Sequence, residues 1–527
     1  MTKFRMAAQS GASLWVLGLS ALMLAGVREP SHAQDAVTPP EKVAPPHPAI
    51  TGHPNAGRDI FRFETFGNEG FWTDAVRLPQ GIAKAKLTPI DALKLGLVVD
   101  IDAVPADLRG AIAAELKSDL SPRNAPLLND PATTMKLIAA NAIPGFVPKG
   151  DKVGASCALC HTTTDASVYS LPGGGTIGHR QDGRSNLNLN FGKIVATADN
   201  PLAFYPFLQT ASGGTTIGRA PKGLTPQSSE ADAKAYLSNP AYYPVGMFDD
   251  TPDGNGNPVV TAPLFRQDLA APFGSAGEQP AMEGFSNSVY TVAFDPTSLA
   301  TPNGRKFLTA VGGKAGAQLS DDYAVILRKT HVTAYPFGQA MTGYKVGDPA
   351  SVVGRRVDGQ KLADLRSYLE SLPAPAGAKV DAAMAARGRQ MFARSCTSCH
   401  NADQSKPVSP TLVEMNRIWP GYHPTLLARR MPPLDPIQNA PGTFDDKMIV
   451  VDASPSGGHR GNAIPMLLDL ADKPMFLHDG SVRSLADLLD PRRGATAPHP
   501  FYFAGAGKRA DVVEYLRSLG TNDAASR

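Results

Sequence analysis

All four cysteines of this 527-residue chain fall into two copies of one pattern: Cys157, Cys160 and His161 in "SCALCH", and Cys396, Cys399 and His400 in "SCTSCH". Two cysteines separated by two residues, with a histidine directly after the second, is the spacing that covalent attachment of a c-type haem requires. Two thiols add to the two vinyl groups of one porphyrin, and the adjacent imidazole reaches the iron from one side. A thioredoxin-like pair does not need the histidine. A zinc site would have to bring the two distant pairs together and still leave both histidines unexplained. A disulfide framework accounts for neither the spacing nor the histidines. The cysteine inventory therefore predicts two haem c groups.

The N-terminus agrees with that chemistry. Lys3 and Arg5 precede an apolar stretch from Ala12 to Gly26, and a small-residue site ends at Ala33. This is the pattern of a secretory signal peptide over residues 1–33, and the apolar run is shorter than the ~20 residues a spanning helix needs. The expected location is the periplasm. A net charge of +3, without clusters of Lys or Arg, gives no footprint for nucleic acid. The 47 prolines and 50 glycines in a chain only 7% aromatic predict much loop and little regular sheet.

A short internal repeat divides the chain. "KLADLRSYLESL" at 361–372 and "KRADVVEYLRSL" at 508–519 share Ala, Asp, Tyr, Leu, Ser and Leu in register, with apolar residues at helical spacing. Each haem motif is thus followed by its own amphipathic closing helix. The stretch 373–380 is rich in Pro, Ala and Gly and reads as a linker. Before the second motif, Met384, Gly388, Met391 and Phe392 outline another short amphipathic helix. The predicted fold is mainly α, with two cytochrome c-like haem domains. Residues 34–50 form an extended leader, 51–372 an N-terminal haem domain and 381–527 a C-terminal one. The first domain carries long loop-rich insertions, such as the Gly/Pro-rich 210–320.

What occupies the far side of each iron decides whether a haem carries electrons or reacts. His179 follows His161 across a glycine-rich loop that could fold back over a porphyrin. Near the second motif, His499, His478 and Met475 compete, and His331 is a further candidate. Spacing alone does not choose among them.

The motifs together resemble the bacterial di-haem cytochrome c peroxidase superfamily, which includes MauG and the RoxA-type rubber oxygenases. The likeness rests on the two haem motifs, on "IGHRQDG" with Asn186 after the first, and on "FLHDGSVRSLADLLDP" after the second. The opening "GRDIFRFETFGNEGFWTDAVRL" at 57–78 resembles the RoxA-like branch in particular. The resemblance implies that His179 lies on the distal side of the N-terminal haem and that His499 is the second axial ligand of the C-terminal one. It implies a propionate-contacting or supporting role for His478, and it places Asn186 near a position that helps bind an interhaem calcium ion.

The chain also departs from the peroxidases. Where they carry a methionine ligand beyond the His-Asp-Gly segment, this sequence has Arg492, and no Met follows Met475. That favours ligation of the second iron by His400 and His499. The segment bearing the peroxidases' catalytic glutamate has no counterpart here, which leaves Glu283 in "AMEGFSN" as the candidate.

Two functions remain open at this stage. In the first, the chain is an oxidoreductase whose N-terminal haem uses peroxide or dioxygen. His179 supplies acid/base chemistry or blocks the site, and the C-terminal haem relays electrons from a small cytochrome or cupredoxin. An aromatic residue between the haems, Trp72 or Trp419, would assist the transfer. The rival is a non-enzymatic carrier with His179 and His499 closing the two irons. The roughly 200 residues between the first motif and its closing helix favour the enzyme, because long insertions usually build a pocket or a partner surface.

Overall fold

The computed structural model describes residues 50–520, except 213–214, 217–221, 250–257, 275–278, 340–344, 349–350, 410–411, 415–460, 478–479 and 495–498. The expected signal peptide and the expected leader up to residue 49, with Trp419 and His478, lie outside the described residues. The architecture is helix-rich. Among the described residues, sheet is confined to two-stranded pairs and one three-stranded patch, in which Val99–Asp100 runs parallel to Thr176–Gly178 and Tyr169–Ser170 pairs with the latter antiparallel.

Two helix crossings organise the chain. Helix Pro54–Phe63 packs across helix Gly359–Ser371, and helix Ala382–Ser395 packs in the same way across helix Ala506–Ser518. Local chemistry starts each helix that needs it. Pro54 supplies a preset φ at the first position, and the Asp381 carboxylate accepts the Met384 N–H at 2.8 Å. Each crossing then depends on a glycine. A β-carbon on Gly57 would lie 1.9 Å from the Asp364 carbonyl oxygen, and one on Gly388 would lie 2.0 Å from that of Asp511. One turn further on, Phe61 meets Tyr368 with ring centroids 5.7 Å apart, and Phe392 meets Tyr515 at 5.3 Å. Glycine and aromatic are four residues apart on one helix, Asp and Tyr four apart on the other, so each pair shares a face.

Two large apolar cores accompany the crossings. The first draws on residues from Ile60 to Leu369, and the second on Phe392, Leu485, Val512, Tyr515 and Leu516. The stretch between them is extended, as its composition predicts, but it is not free. Ala374 packs with Phe265 and Leu468, the Ala378 N–H donates to the Arg517 carbonyl at 3.0 Å, and Gly377 lies against the Ser518 carbonyl. Pro373 and Pro375 stop helix formation here, and Gly377 permits the close docking.

The 210–320 insertion is more helical than its glycine and proline content suggests. Helix Pro302–Lys329 begins within it, capped by the Thr301 hydroxyl, which accepts the Gly304 N–H at 3.1 Å. It bends where Gly313 takes φ 59°. Phe307, Leu308, Leu319, Tyr323, Ile326 and Leu327 supply its buried side, an apolar pattern that the paired glycines interrupt in the sequence. Among the described residues, no helix is long and apolar enough to cross a membrane.

Candidate haem sites

The first motif is enclosed. Strand Lys152–Ala155, paired with Phe146–Lys149, delivers the chain to Ser156, whose hydroxyl donates to the Arg62 carbonyl at 2.9 Å. The short helix Ala158–His161 follows. Gly145, at φ 89°, runs so close to Leu159 that a β-carbon would sit 2.2 Å from its backbone. Cys157 and Cys160 are buried and unbridged, and burial pushes their thiols up to about 11 and about 12. Burial pushes His161 down to about 4, with the Ala262 carbonyl pulling the other way. That carbonyl still leaves the buried His161 Nδ1 without a hydrogen bond of good geometry.

The second motif caps its helix and opens to the surface. The Cys396 N–H closes the last turn of helix Ala382–Ser395 on the Phe392 carbonyl at 2.9 Å, and the His400 N–H donates to the Cys396 carbonyl at 2.9 Å. Arg394, Ser395, Thr397 and Ser398 are exposed, and Cys396 and Cys399 are half-buried. The two sulfur edges thus face different surroundings.

Almost a hundred positions later the chain returns to His400. The His499 ring faces the His400 ring, with centroids 6.3 Å apart and planes inclined by 56°. Imidazole nitrogen bonds a metal at about 2 Å, and each ring centre lies roughly an ångström behind its nitrogen, so a metal held between two rings sets their centroids about 6 Å apart. Both rings are held neutral. Burial lowers the pKa of His400, and burial followed by the neighbouring His400 and Arg493 lowers that of His499 to about 3. The Nδ1 atoms of both are buried without a partner. His499 itself sits at φ 54°, the left-handed region that a non-glycine residue adopts at a cost and that concentrates at functional sites. Four free sulfurs, orphaned imidazole nitrogens at both motifs and a facing histidine pair at the second make a donor set that suits haem c.

The other residues singled out in the sequence have different surroundings. His179 lies between strand Thr176–Gly178 and strand Arg180–Asp182 with its side chain 60% exposed, and its Nδ1 is 2.8 Å from the Asp102 carboxylate. Strand alternation turns its neighbour inward instead. Arg180 is 5% exposed and pairs with Asp100 at 2.9 Å. The structure thus places His179 in a surface pair with Asp102. Glu283 is likewise engaged, in an ion pair with Arg366 at 2.8 Å that ties helix Met282–Ser288 to the closing helix of the first core.

Asn186 is a brace. It donates its side-chain N–H to the Gly96 carbonyl and its backbone N–H to the Cys160 carbonyl, each at 2.8 Å. Among the described residues, no group of three or more His, Cys, Asp or Glu side chains is placed to hold a metal ion. Met475 packs with Met247 and Val260, and His331 is exposed. Trp72 is a core residue among Phe71, Phe191 and Phe204. Sequence reasoning missed Tyr290, whose hydroxyl lies 3.3 Å from the Cys157 sulfur. A tyrosine 133 residues away carries no local signal of such a contact.

No family model matches the sequence, and no curated protein matches it. Among solved structures, a chain of hydrazine synthase from Kuenenia stuttgartiensis is similar at 17% identity and a TM-score of 0.26, over 50% of this chain and 74% of that chain. So distant a likeness bears on neither family nor activity.

Proposed function

We propose that the chain is a di-haem c-type oxidoreductase in which the two irons divide the labour. The facing pair His400 and His499 carries this reading. Two imidazoles on one iron leave no position for a substrate, so the C-terminal haem, attached through Cys396 and Cys399, relays electrons. Its sulfur edge lies at the surface beside Arg394, where a small cytochrome or cupredoxin can approach. The N-terminal haem, attached through Cys157 and Cys160 and held by His161, supplies an iron that binds peroxide or dioxygen.

The chain's own residues shape that first site. Gly145, Ser156 and Asn186 fix the backbone on either side of the motif, and the shell around Cys157 and Cys160 keeps water and large partners from the sulfur edge. The exposed pairing of His179 with Asp102 supports the enzyme over the electron-carrier alternative, which assigns His179 to the first iron. Export to the periplasm follows from the signal peptide. The test is rapid mixing of the fully reduced holoprotein with stoichiometric hydrogen peroxide, and separately with dioxygen, followed by absorbance. Reoxidation of both haems by one of these is expected. Haems that stay reduced against both would return the chain to the carrier reading.

A further inference from the structure

Tyr290 lies in the five-residue π-helical turn Val289–Ala293, a rare backbone form that is frequent at functional positions. It is fully buried, with Phe66 packed edge-on at 4.5 Å and Phe294 at 5.7 Å. This packing aims the hydroxyl at Cys157 Sγ, 3.3 Å away. A free thiol and a phenol can each donate to the other. Once the sulfur is joined to a porphyrin as a thioether it has no proton and can only accept, so the phenol must donate. Hydrogen bonds around a cofactor's attachment points are among the levers by which a protein sets its potential, and a donor at sulfur withdraws electron density and favours the reduced state.

We infer, resting on the di-haem reading above, that Tyr290 is a positioning residue through which the long insertion acts on the first haem: its hydroxyl donates to the Cys157 sulfur, fixes that attachment and raises the haem's reduction potential. The geometry assigns a role to a segment that the haem motif itself does not explain. Val289–Ala293 reaches back across 133 residues to touch the attachment atom.

The experiment compares wild-type holoprotein with Tyr290→Phe, which keeps the ring and removes the hydroxyl, and Phe294→Leu, which disturbs the same packing and leaves the hydroxyl in place. Haem content is measured by pyridine haemochrome, and the potentials of both haems by spectroelectrochemistry. The expected result is a lower potential for the first haem in Tyr290→Phe only, with the second haem unchanged. An unchanged first potential in Tyr290→Phe, or an equal shift in Phe294→Leu, would overturn the assignment. Fewer than two haems in the wild type would instead bring down the di-haem reading, and this inference with it.

Discussion

Gly57 lies against the Asp364 carbonyl so closely that a β-carbon would come within 1.9 Å of its oxygen, and Gly388 repeats the relationship with Asp511 at 2.0 Å. Neither carbonyl can move without shifting a helix, because each belongs to the backbone of helix Gly359–Ser371 or Ala506–Ser518. Gly57→Ala and Gly388→Ala should each destabilise the holoprotein by about 2 kcal/mol, the usual cost of overpacking a close contact. Urea unfolding followed by tyrosine fluorescence and haem absorbance checks this. Wild-type midpoints would show that the crossings tolerate separation.

Asp182 joins three parts of the first core. Its carboxylate, 2% exposed, accepts from Arg62 at 2.5 Å, from the Tyr368 hydroxyl at 2.7 Å and from the Thr162 hydroxyl at 3.1 Å, directly after His161 in the chain. Asp182→Asn takes the nearest counter-charge from the Arg62 guanidinium, which is 27% exposed, and weakens charge-assisted hydrogen bonds worth about 2 kcal/mol. The expected outcome is a lower denaturation midpoint with an unchanged slope. An unaltered midpoint would mean that the network adds little to stability.

His179 offers a pH test with a defined sign. The hydrogen bond that the His179 ring donates to the Asp102 carboxylate, and then the charge of Asp102, raise the pKa of His179 above the ordinary 6.5. The stabilisation from this pair is complete below 6.5 and disappears as pH rises through the raised value. Both groups are exposed, so the effect on stability is small. Histidine NMR titrations should give a higher pKa in the wild type than in Asp102→Asn. Equal values would contradict the pairing.

The proposed attachment chemistry rests on the sequence because haem c needs a fixed local spacing, and local spacing is visible without knowledge of the fold. The closing helices were readable for the same reason, as period and repeat. Of their partners, the helix outlined by Met384, Gly388, Met391 and Phe392 was readable and helix Pro54–Phe63 was not, although "GRDIF" at 57–61 and "GRQMF" at 388–392 carry the same glycine, arginine and phenylalanine in register. The resemblance brought His179 forward, but strand alternation between Gly178 and Arg180 decides which residue of "IGHRQDG" faces inward, and that depends on pairing with Thr162–Thr164. Tyr290 illustrates the remaining limit. A contact across 133 residues is set by tertiary packing alone.

The pairing of His400 with His499 is tested most directly by low-temperature EPR of the ferric holoprotein and of His499→Ala. The expected wild-type spectrum contains the low-spin signal of a bis-histidine haem, and His499→Ala converts that signal to high spin while the signal of the other haem is unchanged. A low-spin signal that persists in His499→Ala would show that another residue closes the second iron, and the division of labour between the two haems would have to be withdrawn.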